Sequence, residues 1–208
     1  YLQDLEASAL MVETGSESAA IEVAQRLGIR VIEIEEGEEA GSFSIGEVED
    51  EVPVREEDAV GLILHTSGTT SRPKMVPLSM GNLAASACNI AATLQLSDTD
   101  RCLNVMPLFH IHGLMAPVLA SLTRGASVYC TPGFDALRFF AWLDDARPSW
   151  YSAVPTMHQG ILSRAPRNHE VIERSSLRFV RSSSASLPPQ VMEALETTFS
   201  APVVEAYA

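Results

Sequence analysis

Short apolar runs alternate along this chain with longer stretches whose apolar positions recur at helical spacing. Residues 7–13 read as a first strand, and Ser16 as the cap of a helix that places Ala20, Val23, Ala24 and Leu27 on one face. Gly28 is the expected helix stop, and residues 29–34 the next strand. The run at 59–64, AVGLIL, predicts a buried strand. Ser79 is suited to cap a helix reaching about residue 94, whose Ala84, Ala85, Ala87, Ala91 and Ala92 permit close approach to a sheet. Further strands are predicted at 102–106, 127–130, 150–154, 177–181 and 203–207, and helices at 113–122, 135–146, 156–164 and 188–199. Alternating strands and helices predict an α/β fold, a mainly parallel sheet flanked by helices on both faces.

Charge changes this picture at one place. Residues 35–58 carry 11 of the 27 acidic residues against one base, Arg55, without the spacing of a calcium loop. A solvated, mobile connection is expected there, dividing a βαβ unit (1–34) from an α/β core (59–208). The net charge of -13 argues against nucleic acid or an anionic membrane as the main partner. No apolar run is long enough to span a bilayer. Cys88, Cys102 and Cys130 are widely spaced in apolar surroundings, which suits buried free thiols in a reducing, cytoplasmic setting. The chain starts without a methionine and stops inside an expected strand, so it reads as a piece of something longer.

Candidate chemistry concentrates at residues 65–76, HTSGTTSRPKMV. Thr66, Ser67, Thr69, Thr70 and Ser71 offer hydroxyls, Gly68 admits close backbone approach, and Lys74 adds a mobile positive charge. These are means of holding phosphate oxygens. The stretch is not a Walker A loop, because Pro73 and Met75 flank the lysine. A plain polar loop between strand and helix has the same composition. The order TSGTT followed by PK, however, resembles the phosphate-binding signature of the adenylate-forming superfamily, which includes acyl-CoA synthetases, luciferases and peptide-synthetase adenylation domains. Ser71 and Met75 replace two glycines of the usual pattern, and TSGTTSRPK is similar to the form written by the oxalate–CoA ligase group.

Three other stretches fit the same resemblance. In PLFHIHG (107–113), His110 matches a position at the wall between acyl pocket and thiol channel, while His112 suits a structural role. Its two histidines make a weak metal pair, with no third ligand at a suitable spacing. RSSSASLP (181–188) resembles a stretch lining the adenine and acyl pockets, which implies nucleotide contacts for Ser184 and Ala185 and acid contacts for Ser183. Its extra hydroxyls suit a short polar acid better than a fatty chain. Arg181 is suited either to a second carboxylate or to a structural ion pair. EAYA (205–208) resembles the start of the family's YGMTE motif, so Glu205, Ala206 and Tyr207 are expected at the nucleotide, with Tyr207 on adenine. SWYSAVPT (149–156) points to the oxalate–CoA ligase group again.

The resemblance implies an AMP-forming acid–thiol ligase that uses ATP, Mg²⁺, CoA and a small carboxylic acid. Thr66 to Thr70 and Lys74 are expected on the β and γ phosphates, Thr66 also near the metal, and His110 and Lys74 as participants in the reaction. The chain by itself is expected to show little turnover. Two other readings share these motifs: an adenylation domain that loads a carrier protein, and a nucleotide-binding fragment without catalysis.

Overall fold

The structure, a computed structural model, describes residues 1–39, 41–46, 58–66 and 74–206, with Thr66 described in its backbone only. The chain divides into two compact units, Tyr1–Val54 and Arg55–Ala208.

In the first unit, strand β1 (Ala9–Glu13) pairs parallel with β2 (Arg30–Glu36) through helix α1 (Ala19–Arg26). The helix cap is Ser18 rather than Ser16, its Oγ accepting from Ala20 N at 3.2 Å. Gly28 stops the helix at φ +69°, a conformation that costs glycine least. The acidic stretch is not one uniform excursion. β2 extends into it as far as Glu36, and β3 (Phe43–Ile45) pairs antiparallel with β2, Ile45 opposite Ile34. A turn closed by Ser42, whose Oγ donates to Glu39 O at 2.7 Å, makes this hairpin possible despite the charge. The remainder of the expected connection, residues 40 and 47–57, lies outside the described residues.

The second unit opens with an antiparallel hairpin, β4 (Val60–Thr66) and β5 (Lys74–Ser79), in which Thr66 faces Lys74. The strand expected to be buried is half open instead: Val60 keeps 50% and Ile63 39% of its surface. The reason is topological, because β4 joins a two-stranded sheet and not the large one. Helix α2 (Met80–Thr93) follows at once, with a capping box between Ser79 and Asn82. Of its small residues only Ala87 and Ala91 are buried, and Ala84, Ala85 and Ala92 face outward.

Five parallel strands form the main sheet: β6 (Arg101–Asn104), β7 (Ser127–Cys130), β8 (Trp150–Ala153), β9 (Phe179–Ser183) and β10 (Val203–Ala206), in the order β10-β9-β8-β6-β7. The period of two sorts their side chains into two cores. Cys102, Trp150 and Phe179 stand in register and pack with Ala91, Leu94, Leu96 and Ala120. Their neighbours Leu103, Tyr151 and Val180 point the other way, into a larger core with residues of α4 (Phe139–Ala146), α5 (Pro155–Arg164) and α7 (Pro189–Phe199). This is the parallel sheet with both faces covered that the sequence predicts.

Between β6 and β7 the chain makes a short turn of helix, α3 (Ile111–Gly113), that runs into a π-helix over Leu114–Ala120. Pro117 lies inside it and donates no backbone hydrogen bond, and Ser121 Oγ donates to the Pro117 carbonyl at 2.6 Å. The helix α6 (His169–Arg174) was not anticipated; six residues are too few for a periodic signal. Two thiols depart from expectation. Cys102 is buried, but Cys88 sits on the outer side of α2 and Cys130 ends the edge strand β7, and both are exposed.

Candidate functional site

Four strands of the parallel sheet, β6, β8, β9 and β10, bring polar residues together at its carboxyl end. After β6 the backbone turns sharply into α3, so tightly that a Cβ at Gly113 would collide with the Pro107 carbonyl. His110 caps α3, its Nδ1 accepting from His112 N at 3.2 Å, and its side chain is exposed beside Phe109 at 88% exposure. The turn carries His112 inward, where only 6% of its surface remains. Its Nε2 lies 2.7 Å from Ser152 Oγ of β8, and its Nδ1 lies 3.0 Å from Ser184 Oγ just beyond β9. Arg181 NH1, from β9, donates to both His112 Nε2 and Ser152 Oγ at 3.1 Å.

Electrostatics follow from that burial. The His112 ring is pushed down to about 4, first by desolvation and then by the neighbouring Arg181 charge, so it is neutral at ordinary pH. Arg181 is 8% exposed, and burial draws its guanidinium below its ordinary value. Ser184 adopts φ +72°, the left-handed region, where a serine is strained. Ser184, Ala185 and Ser186 are exposed, while Ser182 and Ser183 are buried within the strand. β10 continues the same edge: Glu205 stands opposite Ser182 and Ala206 opposite Ser183. Glu205 Oε1 accepts from Leu187 N at 2.7 Å and so ties the two stretches together.

Three of the four expected stretches therefore meet at one edge of the sheet. PLFHIHG and RSSSASLP join through His112, and RSSSASLP and EAYA through the β9–β10 register and Glu205. For the phosphate-binding stretch, Ser67, Gly68, Thr69, Thr70 and Ser71 lie outside the described residues, as does Tyr207. Thr66 is placed in backbone at the end of β4, and Lys74 is the exposed first residue of β5. His110 reaches the rim, but its one described side-chain hydrogen bond is to its own helix turn. Two residues at the centre of the network carried little weight in the sequence. Ser152 is hidden in the apolar run WYSAV, and its position at the end of a parallel strand was the only signal. Arg181 was open between two readings, and among the described residues it forms no ion pair.

The arrangement offers hydroxyls, an imidazole and a buried cation at the carboxyl end of parallel strands, where open α/β sheets receive ligands. The helices α5 and α7 start at the same edge, which points their positive ends toward it. Among the described residues no group of three or more His, Cys, Asp or Glu is placed to hold a metal, so no ligand set for Mg²⁺ is drawn. No helix among them is long and apolar enough to cross a membrane.

The sequence pattern of the AMP-binding enzyme family matches residues 1–208. Oxalate–CoA ligase of Arabidopsis thaliana is 42% identical over 100% of this chain and 42% of its own length. Oxalate–CoA ligase of Saccharomyces cerevisiae is 43% identical over 72% of this chain and 27% of its own. A malonyl-CoA ligase solved as a ternary product complex with methylmalonyl-CoA and AMP superposes with a TM-score of 0.81, at 25% identity, covering 100% of this chain and 42% of that one. The chain thus spans less than half the length of these relatives. With its whole length matched and its parallel sheet shared, the chain belongs to the AMP-binding, adenylate-forming enzyme family.

Proposed function

We propose that the protein carrying this chain is an ATP-dependent carboxylate–CoA ligase for a short polar acid such as oxalate. In the first half-reaction a carboxylate oxygen attacks the α-phosphorus of ATP, the bond to the β-phosphate breaks, and pyrophosphate leaves. In the second, the CoA sulfur attacks the acyl carbonyl and AMP leaves. A carboxylate is already a competent nucleophile, so the protein's task is to position it and to neutralise charge at phosphorus. Thr66 to Thr70 and Lys74 are assigned to the β and γ phosphates, with Thr66 also near Mg²⁺. Ser184, Ala185, Glu205, Ala206 and Tyr207 are assigned to the nucleotide, and His110 with Ser183 to the acid. Mg²⁺ supplies charge neutralisation on the phosphates when bound.

The observation that carries the choice of acid is the network of Arg181, Ser152, His112 and Ser184 at the strand ends. Such a lining of hydroxyls, an imidazole and a guanidinium is polar rather than greasy, which suits a polar acid better than an alkyl chain. The names of two relatives, both oxalate–CoA ligases, support the same choice. The test is ATP-dependent pyrophosphate release by the full-length protein with oxalate, acetate, a medium-chain fatty acid and a cinnamate-type acid, with and without CoA. Turnover with oxalate that becomes sustained on adding CoA is the expected result. Sustained turnover only with a carrier protein would replace CoA as acceptor, and silence with every acid would refute the reading.

A further inference from the structure

At the other end of the parallel sheet, where β8 and β9 begin, a cavity of about 280 Å³ lies between the C-terminal ends of α4 and α6. Leu143 and Pro148, both buried, give it apolar lining, while Arg147, Arg174 and Ser176 line it as exposed polar groups. Apolar lining with a few convergent polar groups is the usual make-up of a small-molecule site. Asp144 adds one carboxylate, so two guanidiniums stand against one negative charge, on a chain whose net charge is -13.

The donors of this cavity are largely unspent. Arg174 NH2 donates to Asp144 Oδ1 at 3.1 Å, which anchors the side chain and leaves its other N–H groups without a described partner. Among the described residues the guanidinium of Arg147 makes no hydrogen bond and no ion pair, and the Ser176 hydroxyl has no partner either. Ser175, by contrast, gives its hydroxyl hydrogen to Ile172 O at 2.7 Å. Arg147 also occupies an unusual place. It closes α4 in the left-handed region, φ +44° and ψ 55°, where glycine is the usual occupant and a side chain costs strain. Helix C-termini favour positive charge in general, which accounts for basic residues here but not for an arginine in the glycine position beside an open cavity.

We propose that the cavity bounded by Arg147, Arg174 and Ser176 binds a small phosphorylated anion, either a phosphate monoester or free phosphate. Guanidiniums match phosphate oxygens in paired hydrogen bonds, and a phosphate group presents acceptor oxygens in several directions, so it can take donors from the stretch after α4 and the stretch after α6 at once. The apolar surface of Leu143 and Pro148 is available to the carbon part of an ester. The site is independent of the ligase reading, whose assigned residues lie at or beyond the opposite ends of these strands or in the β4–β5 hairpin, and its failure would leave that reading untouched.

The test is phosphorus NMR line broadening of inorganic phosphate and of glycerol phosphate by the full-length protein, at constant ionic strength and with ATP saturating so that the nucleotide site is filled. Both probes are expected to bind under these conditions; tighter binding of the ester identifies a phosphate monoester as the occupant, and equal binding identifies free phosphate. Arg147→Gly should weaken binding about tenfold while leaving the protein at least as stable in urea, because glycine suits the left-handed position. Arg174→Met should weaken it to a similar degree. A purely structural arginine pair predicts changes in the urea midpoint with no change in probe binding, and that result overturns the proposal. So does a wild type that binds neither probe, or binding that ATP abolishes, since the latter belongs to the nucleotide site.

Discussion

Single residues show where chemical character and position part company. His110 and His112 are separated by one residue, yet a capped helical turn leaves one at the rim and buries the other against Ser152 and Arg181. The family resemblance gave His110 the substrate role and His112 a structural one; burial and hydrogen bonding put His112 at the centre of the network. Lys74 is an exposed residue at the start of a strand, with its ammonium available to solvent or ligand. Lys74→Ala is therefore expected to weaken ATP binding by about 1.5–3 kcal/mol without affecting folding. Titration calorimetry with the full-length protein checks this, and an unchanged affinity would return the stretch to an ordinary polar loop.

Elements show how local rules and sheet membership act together. The capping of α2 was readable because Ser79 lies immediately before an alanine-rich stretch, and its Oγ accepts from Asn82 N at 3.1 Å while Asn82 Oδ1 accepts from Ser79 N at 3.2 Å. Ser79→Ala should cost about 1 kcal/mol of stability. A urea midpoint lowered at constant slope is the expected signature. β5 was not readable: KMVPLS has an internal proline, and its strand state depends on β4 lying antiparallel beside it. For the same reason AVGLIL looked like a buried strand although it belongs to a half-open two-stranded sheet. An apolar run states that burial is favourable but not which sheet supplies it.

For the molecule as a whole, stability depends on polar groups at both ends of the parallel sheet. At the amino end Asp100 is 3% exposed; burial raises its carboxyl, but bonds from Arg178, Ser149 and Ser97 outweigh this and hold it below the usual range. His112 at the carboxyl end and His158 within α5 are both pushed down to about 4, chiefly by burial. A histidine kept neutral in the fold binds its proton more readily when unfolded, so stability is expected to fall as pH drops from about 6.5 toward 4. The contribution of Asp100 is complete above the unfolded carboxyl's range near 4 and is lost only as pH falls through its lower folded value. Denaturant melts between pH 8 and 3 should show the histidine-linked loss first, and His112→Gln should diminish that first phase. The sequence alone determined the α/β alternation and the family, because periodicity and motif order are local properties of the chain. Only the tertiary structure decided which strands share a sheet, which histidine is buried, and that Arg181 lies in the interior without an anion among the described residues. Those facts depend on contacts between residues far apart in the chain, such as His112 with Arg181 and Ser184, and no short window of sequence contains both partners.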